Sequence, residues 1–245
     1  MDHVRIAIAG LGNMGSNHAR LLREGQVPRM KLAAVIDSDA GRLAAFPEVP
    51  GFSDLEECLA RQPVDALLVA TPHFSHPALG IAGLRAGLHV LVEKPLAVDK
   101  AGAADLLAAH RDRSRILGVM LNQRTDPAFQ TLRGMIRDGD LGELQRVQWT
   151  ITDWFRPEAY FAGSTWRGTW DGEGGGVLLN QSPPQLDLLW WLFGTPVRVR
   201  AFCHFGKYHR IEVEDEVTAY LEYANGATAV FVTGTGESPG TNRLE

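Results

Sequence analysis

The spacing Gly10-Leu11-Gly12-Asn13-Met14-Gly15 suits the pyrophosphate of a dinucleotide, and Asp37 stands where an adenosine ribose needs a carboxylate. Each glycine has its own task. Gly10 permits a tight turn out of a strand, Gly12 removes the Cβ that holds backbone away from phosphate, and Gly15 lets the next helix pack closely. Leu11, Asn13 and Met14 complete the loop at a helix N-terminus, whose unpaired N–H groups and dipole neutralise phosphate without a lysine. Asp37 accepts hydrogen bonds from ribose hydroxyls and repels a 2′-phosphate, which favours NAD over NADP.

A bare G-x-G-x-x-G is weak evidence, so the elements around it decide the reading. An apolar strand, Val4 to Ala9, precedes the glycines, a helix pattern from Ser16 to Glu24 follows, and the β-rich run Leu32 to Ile36 leads into Asp37. The βα rhythm then continues. Ser53 and Glu56 have capping-box spacing for a helix to Arg61, and the apolar run Asp65 to Ala70 reads as a buried parallel strand that stops at Thr71-Pro72. A helix from Pro77 to Ala86 ends on Gly87. The strand His89 to Val92 runs into Glu93-Lys94-Pro95, Asp99 caps a helix to His110, and Ile116 to Met120 is a further strand. Five or six strands alternating with helices predict a doubly wound parallel sheet with ligands beyond the carboxyl ends of its strands.

Near Asn122 the rhythm changes. Asp126-Pro127 starts a helix that reaches Arg137 and stops at Gly139, and longer β runs follow at Leu144 to Phe155, Val197 to Phe205 and Val217 to Tyr223. Asn225-Gly226 before Ala227 to Val232 signals a hairpin. A Trp- and Gly-rich loop, Ala159 to Gly176, and a helix around Gln185 to Phe193 lie between the first two of these strands, with Ser182 as its cap and Gln185 at the reciprocal position. The expected organisation is an α/β Rossmann domain over 1–121 followed by an α+β domain over 122–245, built on an open, mostly antiparallel sheet.

With 245 residues, 45% hydrophobic and 22% charged, the chain has the composition of a globular enzyme of about two domains. Its net charge of −5 argues against a general nucleic-acid surface. Apolar stretches such as Leu186 to Phe193 fall short of the ~20 residues that span a bilayer. With its first strand almost at Met1, no cleavable leader is expected, and the expected location is cytoplasmic. Cys58 and Cys203 lack CxxC spacing and read as reduced, buried or semi-buried thiols. His204 and His209 lie without a ligand cluster, read as exposed histidines, and give no support to a metal site. Trp149, Trp154, Trp170, Trp190 and Trp191 read as core or interface residues.

The glycine motif, Thr71-Pro72 with His76, Glu93-Lys94-Pro95 at a strand end, and Gly174-Gly175-Gly176 before a helix containing Asp187 resemble the Gfo/Idh/MocA oxidoreductases over essentially the whole chain. The resemblance implies NAD(P)-dependent oxidation or reduction of sugars, polyols and related compounds, and a homo-oligomer formed through the second-domain sheet. It makes Lys94 the catalytic lysine, whose ammonium stabilises charge on the substrate oxygen. It lays Thr71, Pro72, His76 and Glu93 along the cofactor. Asn122 and Arg124 reach cofactor or substrate, and Trp166 and Arg167 fold toward the nicotinamide. Asn180 then binds a substrate hydroxyl.

Two departures follow. Four residues beyond Asn180 the family usually has a histidine that acts as general acid and base, whereas this chain has Pro184. The chain also ends where relatives continue into further strands, which predicts an open sheet edge and an incomplete substrate wall. Two readings stand: a dehydrogenase with slow turnover or an altered proton relay, and a non-catalytic NAD(H)-binding regulator or decayed paralogue.

Overall fold

The structure, a computed structural model, describes residues 3–245; Met1 and Asp2, at the start of the first expected domain, lie outside the described residues. The chain divides after Met120 into two compact units.

In the first unit short apolar strands alternate with capped helices: β1 (Val4–Ala9), α1 (Asn13–Arg23), β2 (Met30–Ile36), α2 (Ala40–Leu43), β3 (Gly51–Phe52), α3 (Leu55–Arg61), β4 (Ala66–Val69), α4 (His76–Arg85), β5 (His89–Val92), α5 (Lys100–Ala109) and β6 (Leu117–Val119). The strands pair in parallel in the order β3-β2-β1-β4-β5-β6. Alternate residues feed two cores. Ala7, Ala9, Leu67 and Val69 enter one, while Ile6, Ile8, Leu32, Val35 and Leu68 enter the other, as a sheet covered on both faces requires. The strand order reverses beside β1, where Ala9 pairs with Val69, so the ligand crevice of such a sheet opens there.

Local differences from the sequence reading have physical causes. α1 begins at Asn13 rather than Ser16, because the glycine loop runs straight into its first turn. The Ser53–Glu56 box is displaced by one residue: Asp54, a charge-assisted acceptor, takes the Glu57 N–H at 2.8 Å, and Ser53 turns its hydroxyl to the Asp54 and Glu57 carboxylates. Strand β3 has two residues, too few to give a periodic signal. Asp99 caps α5 as expected, accepting from Gly102 N–H at 2.8 Å.

The second unit comprises α6 (Pro127–Asp138), β7 (Arg146–Ile151), α7 (Glu158–Ala162), α8 (Trp170–Glu173), α9 (Pro183–Phe193), β8 (Arg198–Phe205), β9 (Glu214–Glu222), β10 (Thr228–Gly234) and β11 (Asn242–Leu244). Its sheet runs β11-β7-β10-β9-β8, antiparallel except where β7 meets β10. Trp149, Leu188, Leu189, Leu192 and Phe231 form the core between this sheet and α9. Trp170 and Trp190, expected in core or interface, are 48% and 57% exposed. Strand β8 is exposed along its whole length and carries Val199, Phe202 and Phe205.

Three expectations change here. β7 stops at Ile151 instead of Phe155; beyond it the Thr152 N–H goes to the Thr241 carbonyl and the Arg156 N–H to the Thr235 carbonyl. The Trp- and Gly-rich loop contains α7 and α8, each too short for a readable period. Ser182 makes no side-chain cap: its hydroxyl pairs with Thr233 at 2.9 Å, and Gln185 donates to Gln123 at 3.2 Å. α9 starts without that cap because Pro183 and Pro184 fill its first turn, where an N–H has no helical partner.

Candidate functional site

The glycine loop is built by close backbone approaches. Gly10 has φ +90°, and a Cβ there would lie 2.7 Å from backbone atoms of Ala70 and Thr71. A Cβ on Gly15 would fall 1.7 Å from the Gly10 carbonyl oxygen. Gly12 differs: a Cβ there meets nothing within 4 Å, so the loop keeps open space where phosphate has to touch backbone. Leu11 is buried, whereas Asn13 and Met14 are exposed at the start of α1. These residues fit a dinucleotide.

Asp37, 9% exposed at the end of β2, already has structural duties. Its carboxylate accepts from Leu11 N–H at 2.7 Å and Asp39 N–H at 2.9 Å, with Arg42 Nη1 at 3.5 Å. It ties the glycine loop to the second strand, and a ribose hydroxyl would take one of the remaining lone pairs.

Lys94 is half-buried just past β5, and both of its neighbours are braced. Glu93, 6% exposed, receives His18 Nε2 at 2.7 Å from α1 and Lys94 N–H at 3.2 Å. The Pro95 carbonyl meets His76 Nδ1 at 2.7 Å, and His76 Nε2 lies 2.8 Å from the Thr71 carbonyl. His76 is 1% exposed with both ring nitrogens on backbone carbonyls, so it joins the β4 and β5 turns. Burial pushes its pKa below the ordinary histidine range, against the two carbonyls and Glu93, which favour the charged ring. Thr71 Oγ1 accepts from Ser75 at 2.6 Å, and Pro72 is exposed beside it.

In the second unit the triple glycine is held by an acid from β9. Glu214 accepts from Gly176 N–H at 2.9 Å and Leu178 N–H at 3.0 Å, and a Cβ on Gly176 would strike the Glu214 carbonyl. Asn180, 8% exposed, donates to Glu173, which also accepts from Gly168 N–H at 2.6 Å. Burial raises the Glu173 pKa, and these hydrogen bonds and Arg167 oppose the rise. Tyr160 Oη lies 3.5 Å from Asn180 Nδ2, and Arg167 stacks on Tyr160 and Trp166. Pro184 is buried and offers no proton-transfer atom.

Other expected residues have different partners. Arg124 pairs with Asp187 through contacts of 2.6 and 2.5 Å and lies over Trp191. Asn122 is exposed in a short 3-10 turn. His204 is exposed on β8, but His209 is buried, with Nε2 3.0 Å from Thr235 Oγ1. Cys58 is buried, which pushes its thiol up to about 11, and Cys203 is exposed rather than semi-buried. Among the described residues no group of three or more His, Cys, Asp or Glu is placed to hold a metal, and no helix is long and apolar enough to cross a membrane.

The sequence reading missed His18, Glu173, Glu214 and Asp215. Asp215 is 1% exposed and accepts from the backbone N–H groups of Lys207, Tyr208 and His209. For His18 a signal existed: it falls three residues after Gly15 on a helix packed beside the Glu93 strand end.

A model of the oxidoreductase family with an NAD-binding Rossmann fold matches residues 4–121, and one of the GFO/IDH/MocA C-terminal domain matches 129–245. The uncharacterized oxidoreductase YdgJ of Escherichia coli K12 is 33% identical over 198 residues, covering 80% of this chain and 55% of that protein. An inositol 2-dehydrogenase of Leifsonia xyli is 30% identical over 200 residues, covering 79% and 55%. The WlbA dehydrogenase from Bordetella pertussis, solved with NADH and UDP-GlcNAcA, superposes with a TM-score of 0.91 at 29% identity, covering 99% of this chain and 74% of that one. The chain spans about half the length of the curated relatives it matches.

Proposed function

The chain belongs to the Gfo/Idh/MocA oxidoreductase family, and from that premise we propose that it moves hydride between a nicotinamide cofactor and a secondary alcohol or ketone of a sugar, inositol or related polyol. The observation that carries this reading is the braced Lys94 turn at the crevice end of a dinucleotide-binding sheet. When bound, NAD supplies the hydride acceptor. The glycine loop, Asp37, Thr71 and Pro72 hold the cofactor, with Asn122 and Trp166 as further contacts. Lys94 stabilises negative charge on the reacting oxygen as the carbonyl forms. Asn180, its amide fixed by Glu173, bonds a substrate hydroxyl.

A positioned general acid or base contributes roughly 10²- to 10⁴-fold, and Pro184 contributes none of it. Turnover is therefore slow, with the hydroxyl proton passing to water while the Lys94 ammonium stabilises the oxygen it leaves. The exposed β8 strand serves as the surface of a homo-oligomer, and a non-associating monomer in analytical ultracentrifugation would contradict that.

Pro184 also favours a second reading, a non-catalytic NAD(H)-binding regulator or decayed paralogue. Fluorescence titration with NADH and NADPH, then a sugar and polyol panel at saturating cofactor, separates the two. We expect NADH to bind more tightly than NADPH and Pro184→His to raise turnover; tight NADH binding with no turnover in either protein selects the regulator.

A further inference from the structure

The guanidiniums of Arg156 and Arg167 both lie over the ring of Tyr160, 5.1 and 4.4 Å from its centroid, with Trp154 and Trp166 flanking them at 5.6 and 4.9 Å. Both side chains are partly withdrawn from solvent, and the Nε of each is buried without a hydrogen-bond partner. No carboxylate among the described residues forms an ion pair with either of them. Arg156 donates one Nη1 hydrogen bond, to the Phe155 carbonyl at 3.0 Å. Glu173 is near enough for its charge to act on Arg167, but its oxygens serve Gly168 N–H and the Asn180 amide.

Two like charges gathered on one ring repel, and more strongly where water is partly excluded. The aromatic faces hold each guanidinium plane, and a held guanidinium presents a fork of N–H donors that matches an oxyanion. Tyr160 Oη, 3.5 Å from Asn180 Nδ2, sets this cluster against the residue proposed to bind a substrate hydroxyl.

We infer that Arg156 and Arg167 form an oxyanion clamp, so that the substrate is a sugar or polyol carrying a carboxylate or phosphate next to the hydroxyl that Asn180 binds. Turnover of the anionic sugar rests on the proposed oxidoreductase activity, whereas its binding by the two arginines is tested separately at equilibrium.

The test is calorimetric titration of the NADH-loaded protein with D-glucuronate, D-glucose 6-phosphate and D-glucose. At least one anionic sugar binds more tightly than glucose, by a margin that shrinks as salt is added. The tighter of the two identifies carboxylate or phosphate. Arg156→Met and Arg167→Met each weaken the preferred anionic sugar by about 10- to 100-fold, while glucose stays within about twofold in both and NADH stays within about twofold in Arg156→Met. Arg167→Lys, which keeps charge but loses the fork, falls between. Equal binding of all three sugars by the wild type overturns the clamp without recourse to any variant. Weakened NADH binding with unchanged sugar binding overturns it too, assigning the arginines to the cofactor's phosphates. If anionic sugars bind through the arginines but none yields NADH from NAD, the clamp stands and the oxidoreductase reading falls.

Discussion

In the first unit the chemistry-bearing side chains are fastened largely to backbone at strand ends: Asp37 to two N–H groups, His76 to two carbonyls, Glu93 to the Lys94 N–H. In the second unit the corresponding cluster stands on side chains that hold one another, with Asn180 on Glu173 and two arginines on Tyr160. Backbone at the ends of a buried parallel sheet is already placed by the core, so residues fastened to it inherit that precision. Side chains carried on a loop have to be positioned by further side chains, here Glu173 and Tyr160. The first arrangement suits an invariant ligand and the second a variable one.

The largest test of this contrast is Lys94→Met. It should lower kcat by about 10²- to 10⁴-fold while the NADH dissociation constant barely changes, because the brace around residue 94 uses backbone and neighbours rather than the ammonium. A parallel loss of NADH affinity would show that the brace depends on the lysine itself. Gly15→Ala comes next. Its methyl meets the Gly10 carbonyl, which the sheet prevents from yielding, so NADH affinity should fall by about 100-fold in a fluorescence titration, equivalent to roughly 3 kcal/mol of overpacking.

In the second unit, Arg124→Met removes one half of the Asp187 pair, whose arginine is 34% exposed. Denaturant unfolding should register a loss of about 1 to 2 kcal/mol, discounted for that exposure, with NADH affinity unchanged. Equal loss of NADH binding would show that Arg124 contacts the cofactor as well as Asp187. The smallest effect belongs to Asp65, whose pKa Arg5 holds down to about 2. A lowered carboxylate pKa stabilises the fold above the unfolded value and loses that contribution as pH falls through the folded one. The melting temperature of Asp65→Asn should therefore lie slightly below wild type at neutral pH and converge with it near pH 2.

The glycine loop and the Glu93-Lys94-Pro95 turn were legible because their spacing is local and their flanking strands are apolar runs with clear ends. The six-strand parallel sheet followed from the same rhythm, short of β3. The Arg124–Asp187 pair was not legible because its two members lie far apart along the chain, and nothing around Arg124 announces it. Glu173, Glu214 and Asp215 look like ordinary surface acids in sequence. They are buried because loop N–H groups without strand or helix partners need acceptors, a demand created only once the loops are folded. The same holds for Ser182, whose hydroxyl left the expected cap for Thr233.

Gly12 sets itself apart from its two companions. Its φ of −68° suits any residue, and its missing methyl faces open space, whereas Gly10 and Gly15 are required by the chain's own geometry. A drift from glycine to alanine at position 12 would pass every proofreading that acts on folding: expression, solubility, resistance to proteolysis. Its cost would surface only when a cofactor tried to enter. The three glycines are thus guarded by two different kinds of selection, and position 12 is where a lineage could give up its nucleotide while keeping its shape.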